Sequence, residues 1–350
     1  MRERLLFGDY MRVLACLAVV VLHSSGELVF GKMPSEMPQN GWWAGHLFNT
    51  LTRWSVPVFI MLSGYLLLGK TPENQSIQVA FSRFKRIFKV YVFWSVLFLL
   101  YQYGNRLTPQ IFPEIARKFL IGESYYHLWY LSMLMGLYLL TPFIDVILLH
   151  GTRQLLTYFV LFWVCINTTH WLHSDFLVTR YIGWMGFIGY YLTGYYIRLY
   201  PPSPHVNKYI YVLGFLGLLV TYVATYYLSH TKGQFAAEYY DFLSPNVMAT
   251  SVALFIYLRQ FPYQQLPARL TNIVSEVAAA GLGIYLVHTF WLDVLKNGYL
   301  GGIVIYHYQL VGIPVSPFLA APVVSLCVFG LSYVSVRVLW RIRWFRPFIS

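Results

Sequence analysis

Charge is what this sequence most lacks. Only 11% of the 350 residues are charged, whereas 58% are hydrophobic, and a soluble domain carries about 25% charged residues. A water-covered globular surface is therefore excluded. Acidic residues are scarcer than basic ones, 13 against 25, and the formal net charge is +12. In so apolar a chain that excess reads as contact with anionic lipid and as a topology signal, and not as a nucleic-acid surface. Cysteine is also rare. Cys16, Cys165 and Cys327 lie far apart inside apolar runs, and an odd, scattered count excludes a disulfide framework or a zinc site. No repeat of fixed period and no long hydrophilic stretch interrupts the chain, so a single membrane domain over residues 1–350 is expected. The apolar runs approach about 20 residues without alternation, which excludes a β-barrel.

What is present is a series of apolar runs and many aromatic residues, 19% of the chain, as two membrane interfaces require. The expected fold is an all-α polytopic transmembrane bundle of about ten spans: 10–30, 46–69, 87–103, 127–149, 155–173, 181–200, 209–229, 246–261, 274–296 and 314–340. The third and eighth are short enough to be tilted or re-entrant. Arg2 and Arg4 before an apolar run imitate a signal peptide, but Cys16 follows Arg12 too closely to leave an apolar core ahead of it. The segment is retained as the first membrane helix. Lys and Arg collect in one set of loops, which puts both termini in the cytoplasm.

The first span holds the most informative pattern. Arg12 and His23 are separated by about three helical turns, so they share one face about 16 Å apart along the axis. Asp9 is placed to pair with Arg12, and Glu27, one turn beyond His23, to orient its ring. A cation and an imidazole on one intramembrane stripe point to a protein-lined or water-lined path, and histidine is suited to take a proton near neutral pH. In the second span Pro57 cannot bond the carbonyl of Arg53, so a kink is expected beside an intramembrane cation. Ser63-Gly64 permits close backbone approach. Arg83, Lys85, Arg86 and Lys89 make a basic cluster that suits a topology anchor or a phosphate contact. His127 and Trp129 open the fourth span, and Tyr285 and His288 lie on a Gly-rich ninth span. His170 and His173 have metal-ligand spacing but no third ligand in sight, so no metal is expected.

Taken in order, these blocks resemble the integral-membrane acyltransferases of family three, the bacterial sugar and polysaccharide O-acetyltransferases. Arg12-x10-His23 is similar to that family's Arg-x10-His signature. Ser55-Val-Pro57 through Ser63-Gly64-Tyr65 resembles its apolar-Ser-Gly-aromatic signature, with Tyr where Phe is frequent. Arg83-x2-Arg86 resembles its Arg-x-x-Arg motif, and His127-Leu-Trp129-Tyr130-Leu131 and Ile284-Tyr285-Leu286-Val287-His288 resemble further blocks. The resemblance implies a multi-pass protein of the bacterial inner membrane that moves an acyl group, most often acetyl, from cytoplasmic acetyl-CoA to a hydroxyl of an envelope glycan or lipid-linked sugar. It implies catalytic roles for His23, Arg12, Glu27 and Asp9, with His23 as general base or as an acyl carrier. Donor contacts fall to Arg83, Lys85, Arg86, Ser63, Gly64 and Tyr65. Acceptor contacts fall to Arg53, His127, Trp129, Tyr285 and His288, with Arg53 also a candidate donor to an oxyanion. The other reading open to the same residues is a transporter or flippase of a lipid-linked sugar, which also needs intramembrane charges and a kinked helix. Oligomeric state is not readable.

Overall fold

The computed structural model describes residues 5–37, 40–70, 76–172, 186–297, 309–310 and 313–349. Almost all of them are helical; the exception among regular elements is a two-residue antiparallel pair, Gln309–Leu310 with Ile313–Pro314. Six stretches are long and apolar enough to cross a membrane: Leu6–Val29, Trp129–His150, Arg153–Leu172, Pro204–Lys232, Glu238–Gln260 and Pro317–Leu339. A bent pair of helices can supply a seventh. The protein is therefore a multi-pass helical bundle, with fewer full-length spans among the described residues than the ten expected.

The chain divides into two compact units. The first comprises residues 1–65 and 156–335, the second 66–155 and 336–350. In the first unit, α1 (Leu6–Val29) is stitched to its neighbours by side chains that the lipid cannot satisfy. Ser275 of α11 (Ala268–Ala279) donates to Asp9 at 3.0 Å. The Cys16 thiol faces the carbonyl of Gly281 at the start of α12 (Gly281–Lys296). Ser24 shares a 2.6 Å hydrogen bond with Ser325 of α13 (Pro317–Leu339). Between these polar ties Val20 packs with Leu292, Leu295, Val324 and Val328.

Two expected spans are broken, and each has a local cause. The 46–69 run forms α2 (Gly41–Thr52) and α3 (Ser55–Leu67), separated at Arg53 and Trp54. Pro57 has no N–H to return to Arg53, so the ladder restarts with Val58 donating to Trp54 at 3.0 Å. The 274–296 run is α11 and α12, bent by 70° at Ala280, where two small residues, Ala280 and Gly281, offer little side-chain packing to hold a straight rod.

The helix α9 (Pro204–Lys232) shows how the sequence encodes a lipid-facing surface. Gly214, Gly217, Thr221, Thr225 and Ser229 are buried, whereas Val212, Phe215, Leu216, Val220, Val223 and Tyr227 are exposed. Small residues at four-residue spacing admit α10 (Pro245–Gln260), and the apolar side chains face outward. α3 crosses α8 (Gly186–Leu199) in the same manner. A Cβ on Gly64 would lie 1.7 Å from the carbonyl oxygen of Tyr191, and one on Gly194 would lie 1.9 Å from that of Met61.

The second unit is built on α4 (Ser76–Tyr103), α5 (Phe112–Leu120) and α6 (Trp129–His150). α4 is 28 residues long, about 42 Å, against a hydrocarbon core of about 30 Å. The third expected span, 87–103, is thus the apolar part of a longer helix whose cationic first turns extend beyond it. Asp145 of α6 is buried and accepts from the backbone N–H of Gly69 at 2.9 Å and the hydroxyl of Ser76 at 3.4 Å, which fixes the start of α4. The C-terminal turn packs here too. Phe348 stacks on Phe93 at 4.3 Å, and Trp94 donates to the Phe348 carbonyl at 2.8 Å.

Because the carbonyl facing Gly64 is backbone, Gly64→Ala is expected to destabilise the protein by about 1–3 kcal/mol, read as a lower thermal midpoint in detergent. Gly281→Ala, where a Cβ would meet nothing within 4 Å, is expected to leave the midpoint unchanged.

Candidate functional site

The stripe on α1 forms as its spacing implies. Arg12 pairs with Asp9 at 2.9 Å, and Asp9 is held from its other oxygen by Ser275. The carboxylate is buried while the guanidinium is 40% exposed, so the cation is anchored at one end and open at the other.

Three turns further on, His23 is half-buried and His288 fully buried. Their rings lie parallel within 8°, with centroids 5.0 Å apart, and His23 Nδ1 is 2.7 Å from His288 Nε2. His288 Nδ1 is 2.6 Å from the carbonyl oxygen of Tyr285, which can only accept. That nitrogen must carry the proton of a neutral His288, so Nε2 is an acceptor. His23 Nδ1 is then the donor, and the basic lone pair of His23 resides on Nε2. A peptide carbonyl one turn back on α12 therefore determines, through a second imidazole, which nitrogen of His23 is basic.

The structure corrects the role expected for Glu27. Its carboxylate forms an ion pair with Lys296 at 2.7 Å in an exposed position, and His288 orients the ring of His23 instead. His288, expected to contact an acceptor, is hydrogen-bonded to His23, and the Tyr285 carbonyl is hydrogen-bonded to His288. The reason lies in the bend at Ala280, which turns the first face of α12 toward α1.

Arg53 is buried, at 7% exposure. One Nη donates to the carbonyl of Tyr240 at 3.2 Å and the other to Oδ1 of Asn49. Asn49 in turn donates to the carbonyl of Leu22 at 2.9 Å and to Ser25 at 3.3 Å. The guanidinium is thus tied through Asn49 to two residues of α1 that bracket His23. Asn49 was not singled out from the sequence. Its place four residues before Arg53 is a readable helix-face signal. His46 was missed for a different reason: it receives the Tyr240 hydroxyl and donates to the carbonyl of Tyr222, both far away in sequence. Arg53 lines a cavity of about 500 Å³ together with residues of the 232–242 segment.

Ser63, Gly64 and Tyr65, expected to contact the donor, make contacts within the protein. The Ser63 hydroxyl donates to the Phe59 carbonyl at 2.9 Å, and Gly64 admits the backbone of α8. Tyr65 receives Arg259 on its hydroxyl at 3.3 Å and Arg198 on its carbonyl at 2.7 Å.

The remaining candidates belong to the second unit. Lys85, Arg86 and Lys89 line a cavity of about 720 Å³ with Gln78, Phe81, Ser82 and Pro347. Gln78, Ser82, Lys85 and Lys89 are spaced to share one face of α4. Arg83, expected beside Arg86, does not line this cavity, and Lys89 takes its place. His127 is fully buried with the rings of Phe98, Tyr125 and Tyr126 edge-on around it. Trp129 is half-buried against Tyr130. His173 lies outside the described residues.

The chain itself belongs to a known class. A family model described as an acyltransferase domain, that of acyltransferase family 3, matches residues 6–337. The chain belongs to this family, and it is a multi-pass membrane protein of acyltransferase type. No curated protein and no solved structure matches it.

Asn49 makes three hydrogen bonds that position Arg53 against α1. Asn49→Ala is expected to cost about 1–3 kcal/mol, since it leaves buried polar partners unsatisfied; the thermal midpoint of the purified protein measures it.

Proposed function

We propose that this protein transfers an acyl group, acetyl in the first instance, from acyl-CoA on the cytoplasmic side to a hydroxyl of an envelope sugar or polysaccharide in the bacterial inner membrane. The observation that carries the reading is the His23–His288 pair, which presents Nε2 of His23 as a base in an apolar, helix-lined setting. Family membership supports the reaction type.

In this reading His23 Nε2 takes the proton of the acceptor hydroxyl as its oxygen bonds to the thioester carbonyl carbon. The C–S bond then breaks, and the CoA thiolate receives that proton from the imidazolium, so the base is regenerated. His288 Nε2 accepts from the Nδ1–H of His23 throughout and steadies the charged ring. Arg12 and Asp9 order the stripe below it. The Lys85, Arg86 and Lys89 cavity supplies three cations, which suits the phosphates of the donor's nucleotide end.

Two measurements test the reading. His23→Gln is expected to lower acetyl transfer to envelope glycan by about 10²–10⁴-fold. His288→Gln should lower it less and displace the pH–rate profile; a folded His23→Gln protein with wild-type transfer rates would overturn the base assignment. Separately, saturable binding of acetyl-CoA to the wild type should weaken by about tenfold or more in Lys85→Ala/Arg86→Ala. Arg83→Ala should weaken it less. A monodisperse wild type that does not bind acetyl-CoA would sink the proposal.

A further inference from the structure

We propose that the cavity between Arg53 and the 232–242 segment binds the acceptor, and that it selects a sugar bearing a carboxylate. This rests on the reading above that the acceptor is a sugar hydroxyl. The volume, about 500 Å³, falls within the range of about 300–1,000 Å³ for small-molecule sites.

Arg53 places a buried positive charge in this cavity without a contacting carboxylate. Among the charged residues lining the cavity, Arg53 is buried, whereas Lys232, Glu238 and Asp241 are exposed at its mouth. Arg53 donates to one carbonyl and one amide oxygen, and its Nε–H has no hydrogen-bond partner. The rings of Phe30, Tyr240 and Phe242 face the guanidinium at 5.2, 4.3 and 5.6 Å. Aromatic faces attract a cation but offer no anionic oxygen. No carboxylate stands within ion-pair distance of Arg53 among the described residues; Asp241 acts on it only at longer range, and a buried cation without a contacting anion is costly. A ligand carboxylate would complete the guanidinium through the unused Nε–H in the planar geometry that arginine favours.

The mouth narrows the class. Lys232 and Glu238 form an ion pair and so cancel one another. Asp241 accepts from the backbone N–H of Leu243 at 2.7 Å, which holds its carboxylate at the rim. The rim thus keeps one net negative charge, on Asp241. That anion opposes a phosphate dianion about twice as strongly as a singly charged carboxylate on a neutral polyol. The aromatic side chains offer apolar faces to a sugar ring, and Gln234 offers both a donor and an acceptor to its hydroxyls. Anchored at Arg53, such a ring lies next to the residue whose Asn49 link reaches both sides of His23.

The test is titration of the full-length protein in detergent, without acyl-CoA, with D-glucuronate and with D-glucose, followed by saturation-transfer NMR. Glucuronate should bind saturably and about tenfold or more tighter than glucose. Arg53→Gln should abolish the preference. Should that variant fail to fold, Asp241→Asn serves, since removing a rim anion should tighten glucuronate and leave glucose unchanged. Equal binding of the two sugars, binding of neither, or a preference retained in folded Arg53→Gln would overturn the proposal. The assay contains no donor, so its failure is separate from a failure to bind acetyl-CoA, which would overturn the transfer reading and leave the sugar result standing.

Discussion

The 2.7 Å hydrogen bond between His23 and His288 is the interaction on which the site depends. Two imidazoles at that separation cannot both be charged in a medium of low dielectric, so the pair holds at most one excess proton. His288 is further constrained by its bond to the Tyr285 carbonyl, which commits one nitrogen and leaves the other to face His23. The chemistry of a half-buried histidine on α1 is thereby set by backbone geometry on α12. The rest of the first unit keeps these two helices in register. Ser24 on Ser325, Asp9 on Ser275 and the packing of Val20 against Leu292 and Val328 hold α1 at three heights.

The lipid environment explains why those ties are polar. Where no water competes, each buried hydroxyl or carboxylate must find a partner within the protein, and each partner found defines a neighbour and a distance. Apolar side chains carry little such information in a bilayer, because lipid and protein are equally good surroundings for them. The exposed valines, leucines and phenylalanine of α9 therefore face outward, while Gly214, Gly217 and Thr221 meet α10.

Two kinds of cation serve two purposes. Arg53 is buried, geometrically defined by Asn49 and Tyr240, and surrounded by rings, so its influence is local and directional. Lys85, Arg86 and Lys89 stand on the early turns of α4 around a wide cavity, where their effect is cumulative. The first arrangement suits recognition of one group at one place. The second suits attraction of a polyanion with mobile phosphates. Asp145 contributes to the second indirectly, because it fixes the turn from which α4 starts.

Much of this was legible in the sequence. The scarcity of charge required a membrane protein, the apolar runs located most helices, and the Arg12–His23 spacing placed both residues on one stripe with Asp9 in reach. Pro57 marked the break between α2 and α3, although the run around it reads as one span. Local rules suffice there, because a missing N–H or a helical period acts within a turn or two. What paired with His23 was decided by tertiary structure alone. Glu27 is nearer in sequence and of suitable chemistry, yet it points to Lys296, whereas His288 arrives from 265 positions away because α11 and α12 bend by 70°. Two of the three rings facing Arg53, Tyr240 and Phe242, likewise come from a distant segment whose sequence carries no period. Sequence fixes which side chains a helix presents along its own face; which face of another helix receives them depends on crossing angles and breaks that only the assembled bundle determines.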